Sequence, residues 1–232
     1  ENDLTVCSIF VNPTQFNNPE DFQKYPKTLE KDIELLIGAD CDILFLPTKE
    51  EIYPADYVAP YYDLGYLENI LEGAHRPGHF QGVCQVVDLL LNIVQPDNFY
   101  LGQKDYQQCM VLSRLVEIRG SHEQIHYVPT KREESGLAMS SRNLRLNDSQ
   151  RELATSIYQV LQYLKANIGN QSIADLQQSG WQQLEAKGFT VDYVAICNAK
   201  TLKESQSKEE PLVGLIAASL DTIRLIDNLR LN

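Results

Sequence analysis

The chain has 232 residues, of which 43% are hydrophobic and 22% charged, and its formal net charge is -12. This length can bury an ample core in one large or two modest domains. The acidic balance argues against general binding of nucleic acids or acidic membranes, although it leaves room for a local basic pocket. The five cysteines lie far apart in apolar stretches, without a CxxC pair. We therefore expect buried free thiols and a reducing compartment, and neither a membrane span nor a signal peptide.

The first third of the chain alternates predicted strands and helices. Residues 4–11 form a near-continuous β-prone run, which is typical of a parallel strand covered on both faces. A helix led by Leu29 and a second strand over residues 41–47 follow, and this order predicts a right-handed parallel crossover. The first strand ends where the amides of Asn12 and Gln15 flank a proline. By themselves these residues favour a plain Asn-Pro turn.

A Gly/Pro-rich stretch over residues 71–82 carries His75, Arg76 and His79. The His-x3-His spacing would suit a metal on a helix, but the Pro77-Gly78 pair breaks a helix and no third ligand is near. We therefore expect a positively charged substrate loop and no metal site, with a helix beginning at about His79.

The most informative stretch joins a predicted strand, residues 98–101, to a predicted helix. At the carboxyl end of that strand stand Gly102, Gln103, Lys104 and Asp105. Ligands bind at this edge of an open parallel sheet, and a helix N-terminus offers N–H groups and positive potential to a phosphate. Lys104 adds a full charge, and the residue one turn further on is a glutamine, Gln108. An ordinary helix cap at Asp105 with a solvent-facing lysine remains the alternative.

The second half of the chain changes character after a polar break at residues 130–136, where we place a domain boundary. The following loop carries Ser140, Ser141 and Arg142, so it is either an anion-binding loop or a surface loop with a helix cap. Asp148 is predicted to cap a long helix, and a second helix and three β-prone runs with antiparallel spacing follow. The prediction is an α/β parallel-sheet domain over residues 1–130 and a smaller α+β domain with a short antiparallel sheet over residues 131–232.

Taken together, seven motifs resemble those of the pantoate–β-alanine ligases, or pantothenate synthetases, in the same order along the chain. They are Val11-Asn12-Pro13-Thr14-Gln15-Phe16, Tyr25-Pro26-Lys27-Thr28, Glu51-Ile52-Tyr53-Pro54, Leu71-Glu72-Gly73 with Arg76-Pro77-Gly78-His79-Phe80, Gly102 to Gln108, Leu137 to Asn143, and Arg224 to Asn228. The resemblance implies a Rossmann-like nucleotidyl-transferase fold. It also implies a reaction in which ATP and pantoate give pantoyl adenylate and pyrophosphate, and β-alanine then gives pantothenate and AMP.

The resemblance also assigns expected roles to residues of this chain. It implies that Gln15 and Gln108 hold pantoate, and that Asn12, Tyr25, Arg76 and His79 line the side of the second substrate. The residues expected at ATP are Gly102, Gln103, Lys104, Asp105, Lys131, Met139, Ser140, Ser141 and Arg142. Lys131 is expected to contact adenine through its main chain, and Mg²⁺ to lie on the phosphates without a strong protein cage. A cytoplasmic homodimer is expected, with no nucleic-acid or membrane partner.

Two departures from the family pattern stand out. Gln103 replaces the usual glutamate of the Gly-Glu-Lys-Asp turn, which removes a charge where backbone groups do most of the binding. The family's opening strand with its Met-Gly-x-Leu-His-x-Gly-His-type motif does not precede Leu4, so no catalytic histidine is assigned. We expect the 232 residues alone to form the adenylate poorly.

Two alternatives remain open at this point. One is another adenylyl-transferring enzyme of the same fold, such as a phosphopantetheine or nicotinate-mononucleotide adenylyltransferase. The paired glutamines, which suit a small hydroxy acid, argue against it. The other is a catalytically dead nucleotide-binding relative. Against it stands the retention of Lys104, Ser140, Ser141 and Arg142 as phosphate ligands.

Overall fold

A computed structural model describes residues 2–232, and the chain divides into two compact units. The first unit comprises the chain up to Leu101 together with Gln108–Tyr127, and the second comprises Gly102–Gln107 and Val128–Asn232. The division into functional domains after residue 130 stays a prediction. The short segment Gly102–Gln107 packs with the second unit, although most residues that flank it in sequence belong to the first.

The first unit alternates short strands with helices. Its elements, some of whose end residues belong to the second unit, are β1 (Val6–Ser8), α1 (Pro19–Gln23), α2 (Leu29–Gly38), β2 (Ile43–Phe45), α3 (Lys49–Ile52), α4 (Leu71–His75), α5 (His79–Val94), β3 (Asn98–Gly102), α6 (Tyr106–Arg119) and β4 (Gln124–Val128).

The predicted parallel crossover is present, but its strands are shorter than predicted. β1 pairs in parallel with β2, with Cys7 opposite Leu44, and β3 pairs with β4. The β-prone run of residues 4–11 contains only the three residues of β1, and Leu4 is 64% exposed. A strand extends only where a partner supplies its ladder of hydrogen bonds, and β2 offers three positions.

The stretch predicted as a substrate loop at residues 71–82 is mostly helical. Leu71–His75 forms α4, and α5 begins at His79. Between the two helices the chain turns through Gly78, whose φ of 78° is in the left-handed region that glycine adopts at little cost. The predicted break at Pro77-Gly78 is thus confirmed, while the loop prediction on its N-terminal side was wrong.

The second unit packs two helices on an antiparallel sheet. Its elements are α7 (Asp148–Asn167), α8 (Ile173–Glu185), β5 (Thr190–Asn198), β6 (Leu212–Leu220) and β7 (Ile223–Arg230), with β6 in the centre of the sheet. Side chains of α7 such as Leu161 and Leu164 are fully buried with Leu176 of α8 and Ile216 of β6. The apolar side chains that recur along one face of each helix therefore pack with the inward-facing side chains of the strands in one core.

The structure confirms the predicted fold class, an α/β unit with parallel strand pairing and a smaller α+β unit with a short antiparallel sheet. One cap prediction was wrong. Asn147, not Asp148, caps α7, because its side chain accepts from the main-chain N–H of Gln150 and the Gln150 side chain accepts from the main-chain N–H of Asn147. Among residues 2–232, no helix combines the length and the apolar character needed to cross a membrane.

Candidate functional site

In the first unit, the turn after β1 is built around a buried asparagine. Asn12 is 2% exposed, and its Nδ2 donates to the main-chain carbonyl of Gly82 at 2.9 Å. Its Oδ1 accepts from the hydroxyl of Tyr53 at 2.8 Å and from the hydroxyl of Thr14 at 3.1 Å. A buried amide needs these partners because an unpaired polar group in the interior is costly. Asn12 was predicted to line a substrate, but here its side chain is engaged within the protein.

Asn12 also fixes how the neighbouring glutamine presents its amide. The Nδ2 group of Asn12 lies 3.3 Å from Oε1 of Gln15 and donates to it. The oxygen of Gln15 is therefore engaged, while its Nε2 has no hydrogen-bond partner among residues 2–232. An amide nitrogen is a donor, which is what a carboxylate or hydroxyl ligand requires.

His79 and Arg76 continue the same cluster of hydrogen bonds. His79 is 5% exposed, with Nδ1 2.8 Å from the main-chain oxygen of Gln15 and Nε2 3.1 Å from Nη1 of Arg76. A carbonyl can only accept and a guanidinium can only donate, so these contacts assign the neutral tautomer with its proton on Nδ1. Arg76 also lies 3.8 Å from the buried carboxylate of Glu72.

A close approach of main chains brings these residues together. A Cβ on Gly82, in α5, would lie 2.4 Å from the main-chain oxygen of Thr14, so only glycine fits there. Sequence analysis missed this glycine and Tyr53 as site-forming residues. A glycine inside an apolar helix was the available signal, because glycine costs helix stability unless a close contact needs it. Burial raises the pKa of Tyr53, and its hydrogen bonds to Thr14 and Asn12 oppose that shift.

The other two predicted residues of this unit lie near its helix ends. Tyr25 follows α1, and its ring packs edge-on against Phe16 at 5.7 Å between ring centroids. Gln108 is partly buried in the first turn of α6. Among residues 2–232 it makes no hydrogen bond with Asn12, Gln15 or His79, so the structure does not join it to that cluster directly.

In the second unit, the predicted phosphate-binding turn is a short 3₁₀ helix, Gln103–Asp105, preceded by Gly102. The side chain of Lys104 is 19% exposed, and its Nζ lies 3.8 Å from Oδ1 of Asp105. The main-chain carbonyls of Gln103 and Lys104 both accept from Nδ2 of Asn228, at 2.9 and 2.8 Å. The turn is thus held by a β7 side chain that sequence analysis gave no role.

The remaining predicted ATP residues lie on a second segment of this unit. The main-chain N–H of Met139 donates to the carbonyl of Lys131 at 2.9 Å, which closes a hairpin between them. Ser140 follows the hairpin and caps the 3₁₀ helix Ser141–Arg145, since its Oγ accepts from the N–H of Arg142 at 3.3 Å. The structure therefore brings Lys131 close to the Met139–Arg142 loop.

A buried ion pair lies behind this hairpin. Arg132 binds Asp227 through both ends of its guanidinium, at 2.6 and 3.0 Å. Burial raises the pKa of Asp227, and the contacts with Arg132 oppose that shift. Residues 2–232 contain no group of three or more His, Cys, Asp or Glu side chains suited to hold a metal ion.

Comparison with known proteins gives a consistent result. The sequence model of one family, described as Pantoate-beta-alanine ligase, matches residues 1–230. The pantothenate synthetase of Alteromonas mediterranea is 44% identical, over 99% of this chain and 83% of its own length. That of Alcanivorax borkumensis is 45% identical, over 99% of this chain and 81% of its own length.

Solved structures agree with this match. The crystal structure of pantothenate synthetase from Thermus thermophilus has a TM-score of 0.95 at 42% identity, over 100% of this chain and 84% of its own. The pantoate-beta-alanine ligase from Francisella tularensis, complexed with beta-gamma ATP and beta-alanine, has a TM-score of 0.83 at 38% identity. The match covers 100% of this chain and 80% of that chain. The chain belongs to the pantoate–β-alanine ligase family.

Proposed function

We propose that the protein condenses pantoate with β-alanine to give pantothenate at the expense of ATP. The pantoate carboxylate attacks the α-phosphorus of ATP, which forms pantoyl adenylate and releases pyrophosphate. The amine of β-alanine then attacks the carbonyl of this mixed anhydride and releases AMP. The observation that carries the proposal is the family match over residues 1–230, which includes every residue predicted to bind a substrate.

The first unit holds the acid substrate in this proposal. Gln15 donates from the Nε2 that its contact with Asn12 leaves without a partner, and Gln108 supplies a second amide. Asn12 acts as a positioning residue, because its own hydrogen bonds are made within the protein. Tyr25, Arg76 and His79 lie on the side of the second substrate. Holding a carboxylate in line with a phosphorus atom matters because positioning supplies much of the rate in such transfers.

The second unit holds the nucleotide. Lys104 neutralises the phosphates, together with Gly102, Gln103 and Asp105 of its turn, while Ser140, Ser141 and Arg142 donate to them from the opposite segment. Met139 and the main chain of Lys131 contact the adenine side. Mg²⁺ enters on the triphosphate, whose oxygens are the hard ligands that it prefers. The complex of the Francisella tularensis relative supports ATP and β-alanine as substrates.

The proposal extends to the state of the protein in the cell. The five free cysteines support a reducing compartment, and we place the protein in the cytoplasm. A homodimer follows from the family resemblance.

Replacement of Gln108 tests the assignment of pantoate. Gln108→Ala removes one hydrogen bond to a charged group, which costs about 1.5–3 kcal/mol and should raise the KM for pantoate about 10- to 100-fold. The KM for ATP should stay within about twofold, since no ATP contact is removed. The measurement is pyrophosphate release as pantoate and ATP are varied in turn.

The matched control is Gln85→Ala, which removes a partly buried glutamine from α5 in the same unit. It should leave both constants unchanged. An unaltered pantoate KM in Gln108→Ala would reject the role of Gln108.

A further inference from the structure

The two predicted nucleotide-binding segments of the second unit are tied to two adjacent residues of β7, Asp227 and Asn228. Asn228 is 8% exposed, and its single amide nitrogen donates to two successive carbonyls, those of Gln103 and Lys104. Both bonds are shorter than 3.0 Å, so this amide fixes two peptide planes of the turn. Gly102, which precedes the turn, provides no side-chain cap.

These bonds also decide where the N–H groups of the turn point. In a trans peptide the C=O and the following N–H point in opposite directions. With the carbonyls of Gln103 and Lys104 directed at Asn228, the N–H groups of Lys104 and Asp105 point away from β7. Successive N–H groups directed to one side form a concave site that favours anions. The Asn228 amide thus orients main-chain donors toward the side where a phosphate would lie.

The neighbouring residue, Asp227, reaches the other segment through Arg132. The guanidinium of Arg132 is held by both oxygens of Asp227, donates to the main-chain oxygen of Asn228 at 3.1 Å, and donates to the oxygen of Gly136 at 3.1 Å. It also lies 4.0 Å above the ring of Tyr158. A guanidinium used in this way has little freedom left, since both of its terminal nitrogens donate to fixed acceptors.

Gly136 connects this ion pair to the phosphate-binding loop. It lies in the hairpin in which Arg132 pairs with Ala138, three residues before Met139. Its φ is 88°, and a Cβ there would lie 2.5 Å from the ring of Tyr158. The hairpin at Gly136 is therefore contacted by both the Arg132 guanidinium and the Tyr158 ring.

We propose that Arg132, Asp227 and Asn228 form a positioning clamp that sets the distance between Lys104 and the Ser140–Arg142 loop for a triphosphate. The clamp residues do not touch the nucleotide. They act by holding the main chain from which its ligands extend, and β7 is the rigid piece between the two segments. This inference rests on the proposed function, because it assumes that both segments bind the phosphates of ATP.

A clamp of this kind has a signature that general stabilisation lacks. AMP carries only the α-phosphate, whereas ATP must reach both segments with its longer chain of phosphates. Loss of the clamp should therefore weaken the binding of ATP more than the binding of AMP. A misplacement of the binding groups by about 1 Å can cost about 100-fold in a site that depends on geometry. A change that merely unfolds part of the protein would reduce the apparent affinity of both nucleotides by the same factor.

The test compares the dissociation constants of ATP and AMP by titration calorimetry on the folded 232-residue protein. In Asn228→Ala, we expect the ratio of ATP affinity to AMP affinity to fall about tenfold or more. In Arg132→Lys, which keeps the charge but loses the two-pronged contact, we expect a fall in the same direction. The matched control is Asn167→Ala, since the Asn167 amide donates to one carbonyl, that of Tyr163, at 2.9 Å in the same unit. It should leave the ratio unchanged.

The outcomes separate this inference from the proposed function. An unchanged ratio in both Asn228→Ala and Arg132→Lys, with ATP binding lost in Lys104→Met, would overturn the clamp and leave the ATP site in place. Unchanged ATP binding in Lys104→Met would reject the ATP site itself. If Asn228→Ala does not fold, Arg132→Lys alone decides, because its charge and approximate volume are preserved.

Discussion

The two units hold their predicted ligand residues in opposite ways. In the first unit, predicted ligand side chains are held directly by other side chains, because Asn12 donates to the side-chain amide of Gln15 and His79 accepts from the guanidinium of Arg76. In the second unit, side chains of β7 hold main chain, and the predicted ligands extend from that main chain. Substrate recognition and folding should therefore be coupled in the first unit and separable in the second.

The largest effect should come from the second unit. Lys104→Met removes the charge predicted to lie on the phosphates, and loss of one preorganised group of this kind costs about 100- to 1,000-fold in rate. The ion contact of Lys104 with Asp105 is 3.8 Å long, so its loss should change thermal stability little. The measurements are the kcat for pyrophosphate release and the unfolding midpoint of the same sample.

The exposed Lys200, in the same unit, provides the matched substitution Lys200→Met. This substitution should change neither the kcat for pyrophosphate release nor the unfolding midpoint. A large fall in the stability of Lys104→Met would break the proposed contrast between the units.

A smaller effect, but one on two properties together, is expected in the first unit. Asn12→Ala removes the shorter hydrogen bond of the Gly82 carbonyl and of the Tyr53 hydroxyl, which keep only contacts of 3.4 and 3.3 Å with the Thr14 hydroxyl, and such poorly paired buried groups cost about 1–3 kcal/mol. The free energy of unfolding in urea should fall by that amount, and the KM for pantoate should rise because Gln15 loses its orientation.

The exposed Asn17, five residues further on, allows the comparison variant Asn17→Ala. Normal stability combined with weakened pantoate binding in Asn12→Ala would mean that Asn12 binds the substrate itself, against the coupling argued for this unit.

The last effect appears only at high pH, and each unit contains a buried thiol that tests it. Burial raises the pKa of Cys84, in α5, to about 12, and raises the pKa of Cys197, in β5, to about 12, with nearby carboxylates adding to both shifts. In the unfolded chain a thiol ionises near pH 8.5, so above about pH 8.5 the unfolded state loses a proton that the folded state keeps. Stability should therefore fall as pH rises toward 12, and replacing either thiol by alanine should lessen that fall by about 1.4 kcal/mol per pH unit.

The measurement is the free energy of unfolding between pH 9 and pH 11 for the native protein, Cys84→Ala and Cys197→Ala. Val213→Ala, at another buried position of the same sheet as Cys197, should lower stability equally at each pH. The quantity compared is the slope of the unfolding free energy against pH. If Cys84→Ala and Cys197→Ala change this slope equally, both units unfold in one transition. If only one substitution changes it, the units unfold separately.

Much of the fold could be predicted because its signals are local. The helix beginning at His79 and the three strands of the second unit follow from apolar periods and from Gly78, whose role depends only on its own backbone. The ends of β1 could not be predicted in the same way, since they depend on which residues of β2 lie opposite. The cap of α7 was misassigned by one residue because Asn147 and Asp148 are both good caps.

The candidate site shows the same limit more clearly. Lys104 and the Ser140–Arg142 loop could be named from sequence because charge and hydroxyl groups after a glycine indicate anion binding. The partners that hold them could not, because Asn228 lies 124 positions after Lys104 in the chain. The local signals were an Asp-Asn pair inside a β-prone run, since both residue types are depleted in strands, and the place of this pair in the family-like motif Arg224 to Asn228, and neither shows which residues it contacts.

The assignment of Gly102–Gln107 to the second unit has a consequence for dividing the gene. A fragment encoding residues 128–232 would contain α7, α8 and the whole antiparallel sheet, yet it would lack Gly102–Gln107, which include the turn bonded to β7. The amide of Asn228 would then have no carbonyl to bind, and the hydroxyl of Tyr106 would no longer reach the oxygen of Ala199. Cutting the chain at a single position therefore cannot yield this unit alone, since a fragment that begins at Gly102 also carries Gln108–Tyr127 of the first unit. A circularly permuted gene, or a fragment that begins at Gly102, is the shortest design that retains its own parts.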